Sequence, residues 1–100
     1  MAKTLYLMRH GKAESPGMQR GDFDRQLSAR GLRDATKMGH RLQERGVNPE
    51  LILCSPSQRT RQTAELLVRE LGGTMDGIQY DERIYEASLD TLLDLIRSLP

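Results

Sequence analysis

Leu51-Ile52-Leu53-Cys54-Ser55-Pro56-Ser57-Gln58-Arg59-Thr60-Arg61-Gln62-Thr63-Ala64 carries an unbroken apolar run straight into a proline-marked helix start. Such a run, without polar alternation, predicts a short strand covered on both faces. Ser55 ahead of Pro56 predicts an N-cap with proline at the first helical position. Ala64, Leu67, Val68 and Leu71 then recur at i, i+3, i+4 and i+7 before Gly72-Gly73, the spacing of a helix with one apolar face. A strand feeding directly into a helix is half of a crossover unit, and crossovers build parallel sheets.

The same reading extends in both directions. Upstream, Leu5-Tyr6-Leu7-Met8 is a second continuous apolar run, ended by Arg9-His10-Gly11, and it predicts a first strand buried on both faces. Lys12 to Gln26, with Pro16, Gly17 and Gly21, shows no sustained period and predicts a loop beside that strand end. Ser28 predicts the N-cap of a helix bearing Leu32, Ala35, Met38, Gly39 and Leu42, closed by a left-handed Gly46. Downstream, Ile78 to Tyr80 predicts a weak strand, and Ser88 caps an amphipathic helix through Leu89, Leu92, Leu93, Ile96 and Leu99. Three strand–helix repeats predict an α/β fold, three layers α/β/α with a mainly parallel sheet between helices.

Composition narrows the function. Hydrophobic residues are 37% and charged residues 29%, with 15 Lys+Arg against 14 Asp+Glu, which argues against a disordered tail and against a polybasic nucleic-acid arm. No apolar stretch is long enough for a membrane span or a signal-peptide core, so a cytoplasmic protein is expected. One cysteine, Cys54, allows no internal disulfide and no multi-cysteine metal site.

Ligands of open α/β sheets sit outside the carboxyl ends of the strands. Two of the expected strand ends carry cations: Arg9-His10-Gly11-Lys12, and Arg59 with Arg61 at a helix N-terminus. Both clusters are expected to face one crevice suited to an anion, most economically a phosphoryl group, because guanidinium forks match its oxygens and helix N–H groups favour its charge. A neutral imidazole nitrogen of His10 can attack phosphorus in line while its other nitrogen is fixed by the backbone, and arginines neutralise the equatorial oxygens. No metal or cofactor is expected, since the aspartates are scattered and no Gly-x-x-x-x-Gly-Lys-Ser/Thr loop occurs. Lys12 and Arg61 read equally as rim contacts or surface charge. Ser55 reads as a cap rather than a nucleophile, and Cys54 as a core residue, although Arg59 stands five residues on, one short of a Cys-x5-Arg phosphatase loop.

Arg9-His10-Gly11 closing a strand, with Ser55-Pro56-x-x-Arg59-x-x-Gln62-Thr63-Ala64 opening a helix, resembles the histidine phosphatase superfamily, which includes the cofactor-dependent phosphoglycerate mutases. Asp22-Phe23-Asp24-Arg25-Gln26-Leu27-Ser28-x-x-Gly31 and Ile84-Tyr85-Glu86-Ala87-Ser88 are most similar to the small bacterial phosphohistidine phosphatases of the SixA type. The resemblance implies a phosphoglycerate mutase-like fold, His10 as nucleophile, and Arg9 and Arg59 as phosphate ligands, with Gly11, Lys12 and Arg61 beside the substrate. It implies a phosphohistidine-bearing signalling protein as substrate and partner and inorganic phosphate as product, with a phosphoglycerate mutase or small-molecule phosphatase as the alternative. Glu82, in Glu82-Arg83-Ile84-Tyr85, resembles the mutase acid and reads equally as a loop carboxylate. Members also carry a second pocket histidine on a later segment. The only other histidine here, His40, lies off its helix's apolar stripe and is expected at the surface. The chain, residues 1–100, is thus expected to be one domain matching roughly the first two thirds of the family's, incomplete at its C-terminus. That leaves a catalytically incomplete phosphate- or phosphoprotein-binding module as a third reading.

Overall fold

The computed structural model describes residues 4–15 and 21–99. The loop positions Pro16 and Gly17 fall outside the described residues. Helix α1 is Ala29–Glu44, strand β1 is Ile52–Cys54, helix α2 is Gln58–Glu70, strand β2 is Ile78–Tyr80 and helix α3 is Leu89–Arg97. Short 3-10 turns cover Asp22–Asp24, Met75–Gly77 and Glu82–Ile84. The fold mixes helices with a parallel sheet, in which Ile52, Leu53 and Cys54 of β1 pair with Ile78, Gln79 and Tyr80 of β2 across the α2 crossover.

Local signals fix the helix ends. Ser28 caps α1 by accepting the Gly31 N–H, and Ser88 caps α3 by accepting that of Thr91. Gly46, at φ +70°, ends α1 as expected. Its N–H reaches the Gln43 carbonyl at 3.0 Å and that of Val47 the Leu42 carbonyl at 3.0 Å, the paired bonds of a left-handed helix stop. At the α2 start the expectation shifts by two residues: Ser57, not Ser55, occupies the N-cap position. Ser55 instead accepts the Ser57 N–H at 3.3 Å, so the Ser-Pro-Ser turn precedes the helix rather than forming its first turn.

The core is small. Cys54, Ala64, Val68 and Ile78 pack together where α2 lies on the sheet, with Ile52 at the edge of the cluster. Of these, Val68 and Ile78 are each worth about 1.5–3 kcal/mol on burial. At Gly39, where α1 crosses α2, an added Cβ would fall 2.7 Å from Cβ of Glu70, so this glycine permits the close approach of the two helices.

The first strand expectation is corrected. Leu5, Tyr6, Leu7 and Met8 form no strand and are 53%, 57%, 80% and 46% exposed. A short apolar run becomes a strand only when neighbours accept its backbone hydrogen bonds, and β1 and β2 pair with each other and not with this segment. No described helix is long and apolar enough to cross a membrane.

Candidate active site

The segment after Met8 is positioned by a knot of three chain stretches. Gly11 donates its N–H to Thr63 Oγ1 at 3.2 Å, and Thr63 Oγ1 donates to the Arg59 carbonyl at 2.8 Å, fastening the His10 loop to the first turns of α2. The Lys12 carbonyl accepts from the Ser28 N–H at 2.8 Å and from Ser28 Oγ at 2.9 Å, fastening it to the start of α1. Gln62 Oε1 accepts the Leu27 N–H at 2.7 Å, and Ala13 bridges Leu27 in antiparallel fashion, which closes the knot. Gly31 lies against the Lys12 backbone so closely that any Cβ there would collide with the Lys12 carbonyl. A Cβ on Gly11 would fall 2.9 Å from the Gly31 carbonyl oxygen. Much of what made the motifs recognisable is therefore scaffold: Gly11, Ser28, Gly31, Gln62 and Thr63 hold the loop.

That loop lines an open cleft of about 430 Å³ whose walls are Arg9, His10, Gly11, Lys12, Ala13 and Arg25. The volume suits a small ligand or the phosphorylated side chain of a larger one. Three cations and a histidine line it and no carboxylate does, among the described residues. His10 Nδ1 lies 2.6 Å from the Gly11 carbonyl oxygen. A carbonyl only accepts, so Nδ1 carries the proton of the neutral ring and Nε2 keeps its lone pair. Backbone thus fixes the tautomer that a nucleophilic imidazole needs.

Arg59, Arg61 and Glu82 do not line this cleft. Arg59, only 9% exposed, donates from Nη1 to the Asp22 carbonyl at 2.7 Å and from Nη2 to Asp22 Oδ2 at 3.1 Å. Its guanidinium carbon also stands 5.9 Å from the centroid of the Tyr85 ring. Arg61 stacks over Tyr80 at 4.6 Å, and Glu82 is exposed on its 3-10 turn. His40 is exposed as expected, its Nε2 3.1 Å from Glu70 Oε2.

Asp22 is the hub that composition and spacing did not single out. Besides Arg59 it accepts the Tyr85 hydroxyl at 2.6 Å on Oδ2 and meets Arg25 Nη2 at 3.3 Å on Oδ1. The Tyr85 hydroxyl above all, opposed by burial and helped by Arg59 and Arg25, holds the Asp22 carboxyl below its ordinary range. The same carboxylate pushes the Tyr85 phenol upward. Asp22 therefore ties Arg59 to Arg25, which reaches the cleft. The signal for this was present in Asp22-x-x-Arg25 and in Tyr85, quoted above as part of the resemblance but given no chemical role.

Cys54 is buried, donates to the Ser55 carbonyl at 3.1 Å, and has its thiol pushed up to about 11, chiefly by burial. A thiol held so far above neutrality supplies no thiolate nucleophile, so the Cys-x5-Arg near miss is a core residue.

A family model described as the histidine phosphatase superfamily, branch 1, matches residues 5–96. An uncharacterized protein of Mycobacterium leprae (strain TN) is 34% identical over 98 residues, covering 92% of this chain and 56% of that relative. A 2,3-bisphosphoglycerate-dependent phosphoglycerate mutase of Chelativorans sp. (strain BNC1) is 31% identical over 91 residues, covering 85% of this chain and 44% of the mutase. Among solved structures, a candidate phosphohistidine phosphatase SixA from Agrobacterium tumefaciens superposes with a TM-score of 0.84 at 34% identity, covering 91% of this chain and 58% of that one. The chain thus spans about half the length of the relatives it matches.

Proposed function

We propose, from the premise that this chain belongs to the histidine phosphatase superfamily, branch 1, that it removes a phosphoryl group from phosphohistidine on a protein through a covalent intermediate on His10. The observation that carries this reading is the 2.6 Å contact of His10 Nδ1 with the Gly11 carbonyl. It leaves Nε2 as the lone-pair nitrogen in a cleft lined with cations.

In this reading His10 Nε2 attacks phosphorus as the nitrogen–phosphorus bond of the substrate breaks, and the departing imidazole leaves as the neutral ring after taking one proton from solvent through the open cleft. Water then attacks the phosphoryl group on His10. The bond to Nε2 breaks, inorganic phosphate departs, the attacking water returns one proton to solvent, and His10 keeps its Nδ1 proton and recovers its Nε2 lone pair. Arg9 and Lys12 offset the charge that gathers on the equatorial oxygens, the work a metal ion does in other phosphoryl-transfer sites. Arg59, which does not line the cleft, acts on it through Asp22, the carboxylate that also meets Arg25. A nitrogen leaving group needs little acid assistance, so Glu82 is not required for this substrate.

The mutase relative supports a second reading, in which the cleft takes a small phosphorylated acid. The test is parallel incubation of the chain with a phosphohistidine peptide, p-nitrophenyl phosphate and a bisphosphoglycerate, following phosphate release. Loss of phosphate from the peptide, abolished by His10→Ala, is the expected result. Preference for the bisphosphoglycerate would favour the second reading, and retention of activity by His10→Ala would overturn both. Binding of phosphate without any turnover would favour a binding module.

A further inference from the structure

We propose that Arg25 is a further oxyanion-binding residue of the cleft, held in its wall by Asp22. The inference rests on the phosphoryl-transfer reading and deepens it by adding a guanidinium to the anion's shell. Three observations meet at this side chain. It lines the same cleft as Arg9, His10 and Lys12. Its Nη2 is anchored 3.3 Å from Asp22 Oδ1, while the other oxygen of that carboxylate holds Arg59 and Tyr85. Its Nε is buried with no hydrogen-bond acceptor, as is that of Arg59.

A guanidinium has five donors in a rigid fork, and leaving a buried one unpaired is costly, so such a group calls for a partner. Arg25 lines a cleft that otherwise holds Arg9, His10 and Lys12, with one Nη on Asp22, and the acceptor such a cationic wall lacks is an anion. Asp22 pre-orients the fork by gripping one edge. This is how a carboxylate prepares an arginine for a planar, two-point grip on a phosphoryl group. A simple ion pair with Asp22 does not account for the side chain's place in the wall of a cleft shared with Arg9, His10 and Lys12. The ligand class that fits is a terminal phosphoryl group, whose three free oxygens offer acceptors to Arg9 and Arg25 at once.

The test uses orthovanadate as the probe, with affinity measured by isothermal titration at fixed ionic strength. Arg25→Gln keeps a donor for Asp22 and removes the charge; Arg97→Ala, on α3, removes an equal charge elsewhere. We expect Arg25→Gln to weaken vanadate binding tenfold or more and Arg97→Ala to change it less than twofold. Equal affinity in wild type and Arg25→Gln, with Arg9→Ala weakened, would overturn the role of Arg25 and leave the cleft reading standing. No vanadate binding by the wild-type chain would overturn both. A second measurement does not depend on the variant folding: the Arg25 side-chain Nε–H resonance of the wild-type chain should shift on adding vanadate, and an unmoved resonance at saturation would also refute the assignment.

Discussion

The Gly11 amide and the Thr63 hydroxyl meet at 3.2 Å across 52 positions of sequence, and that contact sets the His10 loop on the first turns of α2. Thr63 Oγ1 donates its own hydrogen bond to the Arg59 carbonyl, so one hydroxyl joins the histidine loop to the helix that carries Arg59. Replacing Thr63 with Val keeps the shape and removes both hydrogen bonds. A buried N–H left without its acceptor costs about 1–3 kcal/mol, and a shift of a reacting group by about 1 Å can cost about a hundredfold in rate. Thr63→Val should therefore lower both the urea midpoint and phosphoryl transfer by His10, and Thr63→Ser should restore most of each. Equal rates in Thr63→Val and wild type would show that the loop is placed by something else.

Gly31→Ala separates two opposing effects. Alanine in a helix is favoured over glycine by up to about 1 kcal/mol. At this position, however, the new Cβ would collide with the Lys12 carbonyl, a backbone atom that cannot swing away. Overpacking of this kind costs about 1–3 kcal/mol, and it acts on the loop that carries His10. Chemical denaturation should show net destabilisation, together with lost vanadate affinity.

Acid should loosen the hub. The Asp22 carboxyl lies below its ordinary value of 3.8 in the folded chain, so the folded state binds fewer protons there than the unfolded one. Its contribution is fully present above that value and is lost as pH falls through the lowered folded value. Unfolding followed against pH should thus steepen below about pH 4, and Asp22→Asn should remove part of that dependence. An identical pH profile in the variant would place the acid sensitivity elsewhere, for example at Asp81, whose carboxyl is lowered by Arg83.

Arg61 and Glu82 give the contrasting prediction. With Arg61 over Tyr80 and Glu82 exposed on its turn, neither lines the cleft. Arg61→Ala should leave vanadate affinity within about twofold, the scale of an exposed charge. Glu82→Gln should leave phosphoryl transfer from both phosphoramidate and p-nitrophenyl phosphate unchanged, since an exposed carboxylate outside the cleft protonates neither leaving group. Equal losses on both donors would give Glu82 a part in binding.

The helices were legible because their signals are local. Ser28, Gly46 and Ser88 each dictate a hydrogen bond within a few residues, and the structure contains all three. Ile52–Cys54 and Ile78–Tyr80 were legible as strands through their apolar runs and the helix between them. Leu5–Met8 was not, because an apolar run becomes a strand only through distant partners that periodicity does not register. At the site, Arg9 and His10 stood out because they end an apolar run, and they line the cleft although that run is not a strand. Asp22, Arg25 and Tyr85 did not, since their meaning lies in a contact across 63 positions between Tyr85 and Asp22. The residues stood in the quoted motifs, but nothing in their spacing shows that they meet.

The most direct measurement is acid-labile labelling of the intact chain. Incubated with phosphoramidate, quenched in base and analysed by mass spectrometry, the protein should carry one phosphoryl group on His10, stable to base and lost in acid, and His10→Ala should carry none. A phosphoryl group on His40 or on a serine, or an unlabelled His10 in a chain that still releases phosphate, would contradict the assignment of the nucleophile.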